Sequence, residues 1–597
     1  MLRAAEPIDA LEGSEPRADW PFPLEFAPGP SEDMSPRQVT RWLWFFLILG
    51  IAARTLRYAL RFPLWEDECF LSVNLLDHGY VDLMGGLKYD QVCPLGFLWV
   101  QLTMVKLLGF HELSLRLFSF ATSLAGLFLF RHLAGRFLKG APLVVSLGVF
   151  AVAYPGIRYA AEAKQYGGDL FFSLVLTTLA VEWWRRPDRR RWLWALAAAI
   201  PVAVVSSFPA VFVGGGISLA VAWLSWTRGG RRAWLPWAFY NAALVGSFGL
   251  LFAISAASQS SESLALMQNY WGGGFPPLTQ PLKLAAWLVV THASDLLAYP
   301  FGGRNCGSTL TLVCVAVGLI ALGRRRQYDL ILFWLAPLGL TFAAAALHRY
   351  PYGQGVRFQI YMAPAFCMLA GVGATLIAWR FKRRGERPRP AHAPEWLRFD
   401  VQGAGAPVWL LAALVLVGVA TVARDFSFPA KSAAVMRARD FARWFWFTAQ
   451  FEGEVACVKT DLGERFAPDE YEHGLSSMYL CNQRVYSVRH ARGQPPQWDR
   501  VARDWPLRCV EYHSTGRPYD EAARDRWLAA METRYDLVGR ERFPFLLGER
   551  SNRPPRNLDY LEVYKFVPKE PAAAERGRGD RLGATALADQ GRRAAGR

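Results

Sequence analysis

Apolar stretches of roughly 20 residues recur along the first 420 or so residues of the chain, and most are closed off by a short basic cluster. Such a stretch is long enough to cross a hydrocarbon layer of about 30 Å, and a series of them predicts a polytopic membrane protein. The runs fall near 41–60, 113–131, 141–157, 168–184, 192–209, 211–227, 236–255, 308–322, 329–347, 358–379 and 407–423. The expected fold is therefore mainly α, with about eleven transmembrane helices. The segment 282–297 is apolar but carries Lys283, His292 and Asp295, and it reads as a helix lying on the surface.

The formal charge of +17 does not point to nucleic acid. The arginines form knots between apolar runs, and no helix-turn-helix, finger or stacking motif accompanies them. The knots are Arg131 to Lys139, Arg185 to Arg191, Arg228 to Arg232, Arg324 to Arg326 and Arg380 to Arg389, and all fall on one side of the predicted topology. The positive-inside rule makes that side the cytoplasm and places residues 1–40 there as a tail. The first apolar run lacks a small-residue cleavage site and is expected to remain as an anchor in the inner (plasma) membrane. The other, periplasmic side receives the first outer loop 61–112, the turn 158–167, the loops 256–307 and 348–357, and everything after Asp425.

Polar chemistry concentrates on that outer side. Three consecutive carboxylates, Glu66, Asp67 and Glu68, follow the first helix, and like charges so close raise one another's proton affinity unless a cation intervenes. Such a cluster also suits a solvated helix N-terminus. Further on come Lys88-Tyr89-Asp90-Gln91-Val92-Cys93-Pro94, then Glu112-Leu113-Ser114-Leu115-Arg116 with Ser119, and Tyr159-Ala160-Ala161-Glu162-Ala163-Lys164-Gln165-Tyr166. Arg349-Tyr350-Pro351-Tyr352 precedes Gly355, Arg357, Tyr361 and Pro364. Arg54, Arg57, Arg116, Lys164, Arg349 and Arg357 all sit at the outer ends of spans, where charge is costly and by default suggests function.

Over roughly residues 41–380 this set resembles the GT-C membrane glycosyltransferases that use polyprenyl-phosphate sugars, including protein O-mannosyltransferases, aminoarabinose transferases and lipopolysaccharide galacturonosyltransferases. Lys164 stands where that family usually has arginine, keeping the charge but losing the bidentate fork. The resemblance implies a GT-C-like bundle with a helical first outer loop. It also implies an inverting transferase with Asp67 as catalytic carboxylate and Glu68 beside it. Asp90, Gln91, Glu162, Lys164, Tyr166 and Tyr352 become candidates for substrate binding, and Arg54, Arg116, Arg349 and Arg357 for the carrier phosphate. Elementary chemistry agrees: an acceptor must be deprotonated where the lipid-linked sugar meets the interface, and the phosphate leaving group needs fixed cations.

The implied donor is a polyprenyl-phosphate sugar and the acceptor a lipid, glycan or protein. No P-loop or GxGxxG motif offers a nucleotide site. A transporter or flippase of lipid-linked sugars is the rival, although no paired repeat is visible; a catalytically dead scaffold is a third reading. The eight cysteines show no zinc spacing. His292 and His348 leave a divalent metal open, and the pairs Cys69 with Cys93 and Cys457 with Cys481 leave disulfides open. Trp271 reads as a member of an interfacial aromatic belt. Residues 424–568, with strands expected at 454–459 and 477–486, read as a small outward-facing soluble α/β domain, and 569–597 as a disordered tail.

Overall fold

A computed structural model of the protein describes residues 24, 34–227, 231–258, 268–385, 406–427, 439–442, 444–446, 454–459, 506–513, 521–545 and 559–569. The expected strand at 477–486, Cys481, almost all of the two terminal tails, and the side chains of Glu66 and Asp90 lie outside the described residues. The chain divides into two compact units, Met1–Pro429 and Ala430–Arg597.

The first unit is helical throughout. Helix α1 runs over Pro36–Ala59, five residues earlier than its apolar run suggests, because Ser35 and Gln38 form a capping box and Pro36 occupies the first turn. The first outer loop folds as α2 (Glu66–Ser72), α3 (Asn74–Asp77) and α4 (Leu95–Leu108). There follow α5 (Glu112–Phe137), α6 (Gly140–Val152), α7 (Tyr154–Tyr159), α8 (Tyr166–Arg185), α9 (Arg191–Ser206), α10 (Ala210–Thr227) and α11 (Trp234–Ser258). Next come α12 (Pro281–Ala293), α13 (Thr309–Arg324), α14 (Tyr328–Ala346), α15 (Ala363–Gly385, entered through a 3-10 turn at Val356–Met362) and α16 (Ala406–Ser427).

Every apolar run expected to span carries a helix, but the helices differ in reach. Seven of the described helices, α1, α5, α10, α11, α14, α15 and α16, are long and apolar enough to cross a membrane, which makes this a multi-pass membrane protein. Helices α6, α9 and α13 are apolar but of 13, 16 and 16 residues. Helix α8 has twenty residues but carries Asp169 and Glu182 inside it. Only 11% of the apolar window of α11 is buried, as expected where lipid is the solvent. Helix α12, with 13 residues, is short for a span, in keeping with a surface-lying segment.

Close helix crossings depend on small residues, which let backbones meet where lipid gives no hydrophobic drive. A Cβ on Gly373 would strike the Cys314 carbonyl, so α15 can lie on α13 only with glycine there. Helix α15 also packs on α6, α10 on α14, α11 on α9, and α5 on α8.

In the second unit a four-stranded sheet has the order β1 (Val455–Val458), β2 (Leu507–His513), β4 (Asp559–Pro568), β3 (Tyr535–Phe545). Strands β1 and β2 are parallel, and the other two pairings are antiparallel. Trp527 and Met531 of α17 (Glu521–Glu532) pack on Cys457, Cys509, Tyr564 and Phe566. Cys457 lies opposite Cys509, a register partner that the sequence alone did not reveal.

Candidate active site

The first outer loop is built on two buried polar anchors. Asn74 donates to the Phe70 carbonyl at 2.8 Å and accepts from Lys88 N at 2.7 Å, so the turn carrying Asp90 and Gln91 is tied to the turn carrying the acids. Tyr89 takes a left-handed conformation (φ 60°) and stacks on Phe70 at 5.2 Å. The second anchor is Glu68. Arg116 grips it with two bonds, Nε to Oε1 at 2.9 Å and Nη2 to Oε2 at 2.8 Å, and also donates to the Phe62 and Pro63 carbonyls at 2.6 and 3.2 Å. Glu68 accepts further bonds from Ala163 N at 2.6 Å and Trp65 N at 3.2 Å. Both side chains are buried, so this pair fastens the start of α2 to α5 and to the 160–165 turn.

Asp67 points elsewhere. Its side chain is 30% exposed, against 1% for Glu68, and Arg357 Nη1 donates to its Oδ2 at 3.0 Å. Arg357 is held flat by aromatic faces, 4.7 Å from the Trp271 ring and 5.3 Å from the Phe358 ring. Trp271, expected in an interfacial belt, thus packs against a candidate site residue. Tyr350 fixes this entry turn by donating to the Phe358 carbonyl at 3.0 Å, and Gln359 donates to the Pro351 carbonyl at 2.8 Å.

A second cation comes from the turn before α8. Ser119 Oγ donates to the Lys164 carbonyl at 2.9 Å, and at Gly167 a Cβ would stand 2.9 Å from the Ser119 carbonyl, so the turn lies tight against α5. Lys164 is buried and its Nζ donates to Gln91 Oε1 at 2.9 Å. Burial pushes the Lys164 ammonium below its ordinary value; Asp67 and Cys93 pull it back up, while the nearby Arg357 adds to the depression. Tyr159 and Tyr166 stand together with ring centroids 4.9 Å apart. Burial, partly offset by Arg158, pushes the Tyr159 phenol up to about 12. Arg158 Nε donates to Glu162 at 2.8 Å.

Of the residues singled out in the sequence, Asp67, Gln91, Lys164, Tyr166 and Arg357 thus fall in one electrostatic neighbourhood, with Glu162 paired at its edge. Tyr352 is buried one layer away: His292 Nδ1 faces the Leu288 carbonyl at 2.7 Å and so donates, leaving Nε2 to accept from the Tyr352 hydroxyl at 3.0 Å. Arg349 is exposed at the end of α14. Arg54 is engaged within the bundle, donating to Ser123 Oγ at 3.0 Å, Gly50 O at 3.0 Å and Ala151 O at 2.8 Å, where it caps carbonyls freed by the break between α6 and α7. Arg57 pairs with Asp425. Cys69 and Cys93 are not bridged; Cys93 Sγ meets Gln165 Oε1 at 3.5 Å and Cys69 Sγ meets the Leu64 carbonyl at 3.6 Å. Among the described residues no three His, Cys, Asp or Glu side chains gather where they could hold a metal.

The chain is similar to several solved structures. Over 88% of this chain and 98% of the other, it resembles ArnT from Cupriavidus metallidurans bound to undecaprenyl phosphate, with a TM-score of 0.47 and 13% identity. The same protein in the apo state gives 0.46 and 13% over the same shares. The Archaeoglobus fulgidus oligosaccharyltransferase tethered to an acceptor peptide gives 0.41 and 11%, over 74% of this chain and 63% of that one. No protein-family description and no curated protein matches the sequence.

Sequence reasoning missed Asp169 and Ser207, which sit in or beside the site-facing ends of α8 and α10, and carried Gln165 only as a letter of the 159–166 motif. The only signal for Asp169 was a carboxylate inside an apolar run, which spacing alone does not connect to a site, and Ser207 gave none.

Proposed function

We propose that this protein is an inverting glycosyltransferase of the GT-C type, moving a sugar from a polyprenyl-phosphate donor to a lipid, glycan or protein acceptor at the membrane face opposite the arginine knots. The observation that carries this reading is the contrast between two adjacent carboxylates. Glu68 is closed off by Arg116 and two backbone amides, whereas Asp67 is partly open and stands between Arg357 and Lys164.

Asp67 is the one carboxylate of the pair with access to an incoming group, so it takes the proton from the acceptor hydroxyl or amine. The acceptor heteroatom then bonds to the anomeric carbon as the carbon–oxygen bond to phosphate breaks, and the electron pair leaves on the carrier phosphate. Among the described residues Glu68 is held by Arg116 and Glu162 by Arg158, so Asp67 acts as base and not as nucleophile, and a single displacement inverts the anomeric centre. Lys164 and Arg357 receive the negative charge, in a place where burial makes each cation more effective than in water. Glu68, Arg116 and Arg54 then act as positioning residues, through the loop and the helix ends they hold.

The purified protein, reconstituted in lipid with a polyprenyl-phosphate sugar and an extract of envelope acceptors, should release sugar-free carrier phosphate and a glycosylated product. Movement of the intact lipid-linked sugar across the bilayer with no cleavage would favour the flippase reading instead.

A further inference from the structure

Among the described residues of the bundle, Asp169 is a buried carboxylate that its surroundings leave unanswered. Glu68 has Arg116, Glu162 has Arg158, Asp425 has Arg57, and Glu182 has His132, Arg136 and Arg185. Asp169 is 3% exposed, no cation among the described residues pairs with it, and its Oδ1 has no hydrogen-bond partner. Ser207, fully buried just before α10, stands within reach of the Asp169 carboxylate, but the two do not meet in good hydrogen-bond geometry and the Ser207 Oγ has no other partner among the described residues. An apolar core would expel two such atoms, because an unfilled buried acceptor or donor is destabilising.

The pair belongs to the neighbourhood of the candidate site. Asp169 follows Gln165 by one helical turn, with its N–H on the Gln165 carbonyl at 2.9 Å, and Gln165 in turn touches Cys93. Cys93, Tyr350 and Tyr361 all feel the Asp169 charge. Lys164 is the residue just before Gln165, so Asp169 lies about one turn of α8, roughly 5 Å along the axis, further into the bundle than the phosphate-facing cations.

Resting on the transferase reading above, we infer that Asp169 and Ser207 form a polar subsite that accepts a hydroxyl or amino group of the sugar being transferred. The sign of the charge selects the ligand part. A carboxylate repels the carrier phosphate, which belongs with Lys164 and Arg357, whereas a sugar offers the O–H or N–H donors that Oδ1 lacks. Tyr350 and Tyr361 beside it supply aromatic surface of the kind that packs on a sugar ring.

The test compares D169N and S207A with the unchanged protein, in lipid nanodiscs, using undecaprenyl phosphate bearing glucose, mannose or arabinose and bare undecaprenyl phosphate as probes. For a sugar that the unchanged protein transfers, D169N should weaken donor binding and raise donor KM about 10- to 100-fold, the effect of losing one charged hydrogen bond. S207A should do the same severalfold. Binding of the bare carrier should stay within twofold in both, which also reports that the variants are folded. Unchanged donor KM, or an equal loss for bare carrier, overturns the subsite while leaving the transferase reading intact. An unchanged protein that transfers none of these sugars removes that reading and the subsite together.

Discussion

Asp67 and Glu68 are neighbours in the chain with opposite surroundings, and most of the chemistry proposed here turns on that difference. Replacing Glu68 by Gln leaves the buried Arg116 guanidinium without a counter-charge, which should cost about 3–5 kcal/mol and lower the thermal midpoint of the purified protein in detergent. An unchanged midpoint would show that the pair does not fasten the loop. Lys164 sets a pH dependence of known sign. Its ammonium is depressed by burial, so the cation is lost as pH rises through a value below the ordinary lysine range near 10.4. Transfer should therefore decline on the alkaline side earlier than an ordinary lysine would dictate. Lys164→Arg should push that decline upward, because a guanidinium keeps its proton. A pH profile identical in both proteins would remove Lys164 from the step. At this scale the sequence showed which acids and cations crowd the outer ends of the helices, but not how they pair. Spacing placed Arg54, Arg116 and Arg357 on equal terms; only the folded chain spends the first two on carbonyls and Glu68 and leaves the third on Asp67.

Among the elements, the helices were legible because a bilayer demands long apolar runs, and their ends were less so because caps rather than hydropathy set them. Ser35 and Pro36 begin α1 ahead of its apolar stretch, and the chain breaks at Ala153 inside what reads as one run. The strands β2, β3 and β4 went unnoticed because their residues mix charged and aromatic side chains without clean alternation. In β4, Glu562 is buried against Arg540 at 2.6 Å, Arg542 at 2.8 Å and the Tyr564 hydroxyl at 2.8 Å. Burial works to raise its pKa, but these three donors outweigh it and hold the carboxyl at about 2. A depressed folded-state value means stability present above the unfolded value near 4.3 and lost as pH falls towards 2. Denaturant unfolding of the sheet, followed by hydrogen exchange at β4 in the full chain, should weaken across that window. Glu562→Gln should flatten the dependence; an equally steep loss in that variant would assign it to other groups.

For the whole molecule, the basic knots and the candidate site occupy opposite ends of the same helices. Arg136, Arg185 and Arg324 stand in the last turns of α5, α8 and α13, while Glu112, Tyr166 and the loop before Thr309 stand at their starts. From the positive-inside rule we propose that the site faces away from the cytoplasm. Cys306, exposed in that loop before α13, is a built-in reporter. In a Cys481→Ser background a membrane-impermeant maleimide applied to intact cells should label it, and adding Cys306→Ser should remove most of the signal. Labelling only after permeabilisation would reverse the orientation. The arginine positions predict a side, which that labelling tests, whereas no local pattern encodes the convergence of Asp67, Lys164 and Arg357 from three segments spanning 290 residues. The most direct measurement follows sugar transfer from a polyprenyl-phosphate donor by the unchanged protein, Asp67→Asn and Asp67→Glu under matched folding and carrier binding. Asp67→Asn should lose about 10²- to 10⁴-fold in kcat and Asp67→Glu should retain a fraction of activity, because only a carboxylate can take the acceptor proton. Full turnover by Asp67→Asn, with carrier binding intact, would contradict the role assigned to Asp67.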